Sequence, residues 1–275
     1  MSEVCKLLGL YRSRYYRQRR PKPIDATKVQ LHAKVRHIHD DMHGTYGSRR
    51  MQAELQSQGW IVGRDKARRI MQALGLKAKR PKQHRYPVAG SASVMAPNTL
   101  NRQFNPPNSD SHWAGDITYI RTGQGWLYLA IVLDLYSRRV VGWSFSNAPN
   151  SALSTQALLR AVQYRQPTAP LLFHSDQGVQ YSSEAFSQSL RAHGLTASMS
   201  RRGNCLDNAV TERFFRSLKS ERVSQRRYQT REEAIRDIAD YIEPFYNQIR
   251  RHSTLGYLSP AEYEKKHEQK PYVVS

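Results

Sequence analysis

Three acidic residues occupy positions where a purely structural role is hard to defend. Asp116 falls inside the β-rich run WAGDITYIR (113–121), sharing a face with Ala114, Thr118 and Ile120. Asp176 directly follows the apolar stretch LLFHS (171–175) and precedes Gln177 and Gly178, at the carboxyl end of a predicted strand, where the sites of α/β folds gather. Glu212 lies on a predicted helix over 208–220 whose Val210, Phe214 and Leu218 form a separate packing stripe. A carboxylate within a β core costs free energy unless it is paired or metal-bound. Three that converge repel one another and raise each other's pKa, unless a divalent cation offsets them. Oxygen-only ligands select Mg²⁺ or Mn²⁺ over zinc, and two such ions suit an in-line phosphoryl transfer. Taken singly, each acid is more simply a surface or capping residue. Asp134, Asp207 and Glu221 are read that way: a strand-end turn beside Arg138 and Arg139, an N-cap for the following helix, and a helix end next to Arg222.

The elements that must carry these acids follow from hydrophobic period. From Trp113 the pattern is of strands: 113–121, the nearly unbroken apolar run 126–134, and 139–145. A helix at 151–165, a strand at 171–175, a helix at 182–193, a short strand at 195–199 and the helix 208–220 complete a mixed sheet with helices on its faces. Residues 112–275 are therefore read as one α/β core with a C-terminal helical extension. Residues 83–111 are read as a linker, with Pro81, Pro87, Pro97, Pro106 and Pro107 in or beside it.

Upstream, residues 23–82 form an all-α unit. Leu31, Val35, Ile38 and Met42 make one helical stripe, Gly44 and Gly47 break it, and a second helix carries Met51 and Leu55. A third, from about Gly63 to Leu74, turns Ala67, Ile70 and Leu74 inward and Arg64, Lys66, Arg68 and Arg69 outward, the arrangement of a helix that meets duplex DNA. Residues 1–22 fit the second half of another helix-turn-helix, with Gly9 at the turn, Tyr15 packing, and Arg12, Arg14 and Arg17 outward. That unit lacks the helix it would normally rest on, as if more protein lay upstream.

Charge supports a polyanionic partner. The 275-residue chain has 43 Lys and Arg against 22 Asp and Glu, a net charge of +21. Residues 1–85 hold 21 basic and 6 acidic residues, so the excess sits on the helical units. No apolar run is long enough to span a bilayer, and no signal peptide opens the chain. Two cysteines, Cys5 and Cys205, exclude a disulfide scaffold and a Cys-Cys zinc knuckle. His32, His37, His39 and His43 read as partly exposed surface residues, and His174 and His252 as packing or DNA-contact residues.

In these contexts the chain resembles the second-reading-frame subunit of bacterial insertion-sequence transposases, which carry an integrase core. The matching segments are HGTYGSRRMQAEL (43–55), WAGDITYI (113–120), LYLAIVLDLYSRRVVGW (127–143), FHSDQGVQYSS (173–183), SMSRRGNCLDNAVTERFFRSLKSE (198–221) and YNQIRRHSTLGYLSPAEYE (246–264). Thirty-five residues separate Asp176 from Glu212, the spacing of the Asp-Asp-Glu class. The resemblance implies a ribonuclease-H-like fold with Asp116, Asp176 and Glu212 binding two Mg²⁺ (or Mn²⁺) ions. It also implies strand cleavage at the element's ends and joining of the freed 3′-hydroxyl to a second phosphodiester. The family's basic residue seven positions after the Glu corresponds to Lys219, with Arg216 nearer, both suited to phosphates. The partners implied are double-stranded DNA, further copies of the chain on DNA, and an upstream-frame protein or fusion; no membrane is implied. The expected location is the nucleoid of a bacterial cytoplasm. Two other readings keep the same residues: a DNA-binding regulatory subunit that needs its upstream partner, and a ribonuclease-H-like nuclease that cuts without joining.

Overall fold

A computed structural model describes residues 2–7, 9, 11, 13, 25–79, 96–168, 170–201 and 205–268. Near the N-terminus it shows a short helix, α1 (Ser2–Leu7), and Gly9 in a left-handed turn (φ +62). Tyr15, Arg14 and Arg17 of the expected half helix-turn-helix, and Arg12 before them, lie outside the described residues.

Three helices follow: α2 (Ala26–Asp41), α3 (Ser48–Ser57) and α4 (Arg64–Ala73). Asp25 caps α2, its side chain accepting from the Lys28 amide at 3.0 Å. Most of the stripe read from the sequence is buried: Leu31, Val35 and Ile38 on α2, Met51 and Leu55 on α3, and Ala67 and Ile70 on α4 share a core with Tyr46, Val62 and Met71, which that reading did not include. Met42 and Leu74 are only partly buried against it.

The second body is a five-stranded sheet ordered β3-β2-β1-β4-β5. β1 (His112–Thr122), β2 (Gly125–Asp134) and β3 (Val140–Ser146) form an antiparallel meander; β4 (Leu171–Ser175) runs parallel to β1, and β5 (Leu195–Met199) parallel to β4. The parallel pairs require crossovers, supplied by α5 (Ser151–Arg165) and α6 (Glu184–Ala192). One face is covered by α5 and α6, whose Leu153, Ala157, Leu158, Phe186 and Leu190 pack on Trp113, Val132 and Phe173. Gly142 lets α5 approach closely, since a Cβ there would collide with the Ala157 carbonyl and the Ala161 amide. The opposite face is covered by α7 (Ala209–Glu221), α8 (Arg231–Asp240) and a π-helical turn (Tyr241–Asn247), with Phe214, Leu218, Ile238 and Tyr241 on Leu129, Ile131 and Leu133. Pro244 lies inside that turn, where its missing N–H cannot complete an α-helical bond. α9 (Pro260–Glu268) ends the described chain. This is the mixed five-stranded, helix-flanked sheet expected, preceded by an all-α region. Among the described residues no helix is long and apolar enough to cross a membrane.

The helical region is joined to the end of the core by polar contacts. Arg251 Nε donates to Glu54 Oε2 at 2.6 Å and its backbone N–H to the Tyr46 hydroxyl at 3.0 Å. Lys79 Nζ donates to the Glu221 carbonyl at 3.3 Å.

Candidate active site

Strand register brings the first two acids together. β1 and β4 pair in parallel with Ala114 opposite His174. Asp116 and Asp176 each lie two residues past that pair, Asp176 just beyond the end of β4, and the charge of Asp176 acts on Asp116. Asp116 is opposite Ile131 on β2 and so lies on the face that α7 covers. Its Oδ1 accepts from the Ile117 amide at 2.7 Å and its Oδ2 faces the Thr211 hydroxyl at 3.4 Å. Thr211 is the residue before Glu212 on α7, so the third acid enters the same corner. Asp176 Oδ1 accepts from the Gly178 amide at 3.0 Å, and a Cβ at position 178 would sit 2.9 Å from that same oxygen and push the carboxylate aside.

The electrostatics follow from this crowding. Burial, then the charges of Asp176 and Glu212, push the Asp116 carboxyl well above its ordinary value, against the Ile117 and Thr211 hydrogen bonds. Burial raises Asp176, with the Gly178 amide opposing. Glu212 is raised by burial and by Asp176, with Arg216 opposing. No ion pair reaches any of the three among the described residues. As the side chains stand, no group of three or more His, Cys, Asp or Glu among the described residues is placed to hold a metal ion, so the corner is a convergence of charges and not a formed metal site.

The remaining site candidates divide. Arg216 is exposed and acts on Glu212, whereas Lys219 is half-buried and acts on Asp116. Burial lowers Lys219, and Asp116 opposes that shift. Arg64, Lys66, Arg68 and Arg69 are all exposed on α4, far along the chain from the acids. Arg68 and Arg69 turn back to Asp65, at 3.8 Å to its carboxylate and 3.4 Å to its carbonyl. Arg64 lines a cleft with Gly47, Ser48, Arg49 and Arg50 at the first turns of α3 and α4.

The three acids read as structural need correction or detail. Asp207 does not cap α7: Asn208 stands at that position, and Asp207 is buried beneath Arg201, Arg102 and Asn98, at 3.0, 2.8 and 2.9 Å. Arg201, then Arg102, holds its carboxyl far below the usual range. Glu221 does not pair with its neighbour Arg222; it is buried and held by Arg250 and Tyr241. Asp134 is buried too, accepting from the Ser137 amide and hydroxyl at 3.0 and 2.8 Å, while Arg138 turns to the carbonyls of Phe104 and Leu135. Burial pushes Asp134 up to about 6. His174 packs between the hydroxyls of Ser198 and Ser200, and His252 stacks edge-on against Tyr246. Sequence reading misses Thr211 and the buried Tyr181, whose phenol is raised by burial and by Asp116 and Asp176. Both lie inside the matching segments, but nothing in their spacing marks them.

Comparison with known proteins agrees with this architecture. An HTH-like domain model matches residues 27–84, and integrase core domain models match 106–205 and 212–267. The chain is 40% identical over 271 residues to the 31 kDa protein of insertion element IS600 from Shigella sonnei, covering 97% of this chain and 99% of that one. It is 36% identical over 269 residues to transposase InsF for insertion sequence IS3A from Escherichia coli (strain K12), covering 96% and 93%. The fold resembles a chain of the simian T-cell lymphotropic virus intasome, solved in complex with PP2A regulatory subunit B56 gamma, at 16% identity and a TM-score of 0.51 over 88% of this chain and 76% of that one. With sequence identity sustained across both bodies, the chain belongs to the insertion-sequence transposases that join an HTH-like domain to an integrase core.

Proposed function

We propose that this transposase cuts a DNA strand at the element's ends and joins the freed end to a second phosphodiester, with Asp116, Asp176 and Glu212 holding two Mg²⁺ or Mn²⁺ ions. Hydrolysis breaks a P–O3′ bond as a water oxygen bonds to phosphorus, leaving a 3′-hydroxyl. Transfer then forms a new P–O3′ bond while that of the target breaks, with no protein–DNA covalent intermediate. The observation that carries the reading is the convergence of three carboxylates, from a strand, the residue just after another strand and a helix, with no ion pair to any of them among the described residues. An all-oxygen donor set of this charge fits hard divalent cations. Such ions supply activation of the attacking hydroxyl and stabilisation of the leaving oxygen. The protein's own part is positional: the Ile117 and Gly178 amides and the Thr211 hydroxyl aim the carboxylates, and Lys219 places positive charge beside Asp116.

On this reading residues 23–82 recognise element ends, with Arg64, Lys66, Arg68 and Arg69 on phosphates and base edges, and Arg216 and Lys219 engage the cut end. Residues 112–275 carry the chemistry, as a homo-oligomer on DNA in the nucleoid and together with an upstream-frame protein or fusion.

The test is a cleavage-and-joining assay on labelled element ends with Mg²⁺, with and without the fused upstream frame. Wild type should yield both cut and joined products. Asp116→Asn, Asp176→Asn and Glu212→Gln should yield neither while still binding duplex. Cutting without joining would assign a nuclease, and binding without cutting a regulator; activity in any carboxylate variant would overturn the site.

A further inference from the structure

We propose that Tyr119 and Trp126, at the end of the β1–β2 hairpin, form a stacking platform for unpaired nucleobases beside the cut phosphate; this rests on the DNA-cutting reading above. Most large apolar side chains of these two strands are buried, as at Ile120, Leu127, Leu129 and Ile131. Tyr119 and Trp126 are 49% and 43% exposed, and their rings meet edge to face at 5.2 Å. Exposed aromatics alone mean little. The difference here is that each ring carries a cation. Lys219 Nζ lies 4.8 Å from the Tyr119 ring centre, and the Arg121 guanidinium 5.6 Å from that of Trp126.

The order of groups is what a single strand would meet. Tyr119 and Asp116 lie on opposite faces of β1, and Lys219 links them: Asp116 acts on its ammonium, which lies over the Tyr119 ring, and Tyr119 meets Trp126 with Arg121 over it. A backbone phosphate is met by a cation and the neighbouring base by a π face, which is how single strands are held without sequence preference. A base inside a duplex has both faces covered by its neighbours, so these rings select nucleotides that have left the helix. The hairpin backbone that carries the rings is also held in place. Thr122 donates to the Gly125 carbonyl at 2.7 Å across the hairpin turn. Arg231 donates from Nε to the Trp126 carbonyl at 3.1 Å and from its amide to Gln124 Oε1 at 3.0 Å. Little is therefore lost in ordering it when DNA arrives.

The test compares the full chain's affinity for two labelled duplexes carrying the element's terminal sequence, in chelator so that no strand is cut. One is fully paired; in the other the last few nucleotides are mismatched thymines. Wild type and Tyr119→Phe should favour the frayed end by about tenfold, the scale of one stacked base. Tyr119→Leu and Trp126→Leu should lose that preference while binding the paired duplex as wild type does, which also shows that they fold. Equal binding of both ends by wild type, or a preference surviving in both leucine variants, would overturn the platform while cleavage and joining by wild type still stood. Failure of wild type to bind either duplex would instead overturn the DNA reading on which the platform rests.

Discussion

The two ends of helix α7 carry the same side chain in opposite circumstances. Glu212, in its first turn, has two other carboxylates for neighbours and no ion pair among the described residues. Glu221, its last residue, is gripped by Arg250, with Nε at 2.8 Å from Oε2 and a terminal nitrogen at 2.6 Å from Oε1. The Tyr241 hydroxyl donates to Oε2 at 2.8 Å, and Arg50 of the helical region lies 3.7 Å from Oε1. Burial works against the charge at both ends. At Glu221 the surrounding cations outweigh it and the carboxyl is held down, whereas at Glu212 it is raised. The contrast separates two uses of charge: a satisfied acid locks the helix to the rest of the chain, and on the proposed reading an unsatisfied one is available to a ligand.

Neutralising the two ends should therefore give opposite results. Asp116→Asn, Asp176→Asn or Glu212→Gln should lower strand cleavage by about a thousandfold or more while leaving the melting temperature unchanged or higher. A variant that cuts normally, or melts much lower, would erase the contrast. At the other end, Glu221→Gln leaves Arg250 buried without its partner. Breaking a buried pair costs about 3–5 kcal/mol, on the order of 10 °C in a melting curve. Replacing Glu221 and Arg250 together with Met should recover most of that loss, and a double variant as unstable as the single ones would show that the pair is not the cause.

Ligand and pH dependence sharpen the same comparison. On the proposed reading, Mg²⁺ at about a hundred times its dissociation constant should stabilise wild type by about 2–3 kcal/mol in calorimetry. Glu221→Gln should keep that increment and Asp116→Asn should lose it. The pH effects are smaller and of opposite sign. Asp116 has a folded pKa above its ordinary 3.8, so its repulsion is at full strength above that raised value and is relieved as pH falls through it. The stability advantage of Asp116→Asn over wild type should shrink on acidification. Glu221 has a folded pKa below its ordinary 4.5, so its contribution is fully present above 4.5 and lost as pH falls through the folded value. The penalty of Glu221→Gln should hold near neutrality and fade in acid; melting curves across pH check both slopes.

Much of the fold is legible in the sequence because its signals are local. The helix at 151–165 and the strands at 171–175 and 195–199 stand where hydrophobic period and turn residues put them. The acids at 116, 176 and 212 stand out because each breaks an apolar context. Asp207 and Glu221 are misread for the converse reason. Glu221 is held by Arg250 and Arg50, far away in sequence, and Asp207 by Arg201, six residues back, together with the distant Arg102; no local pattern announces such pairs. Tyr119 and Trp126 do not stand out, because aromatic residues in strands ordinarily read as core.

What the order of residues determined by itself is the set of elements, the excess positive charge of the first third and the three acids that no local packing explains. Only the tertiary structure decided which charges meet. Parallel pairing of β1 with β4 and the docking of α7 on β1 bring Asp116, Asp176 and Glu212 to one corner, and the chain's return at Arg250 and Arg251 fastens the helical region to the core. Electrostatic energy depends on distance in space and on exclusion of water, and neither is a property of a residue's place in the chain.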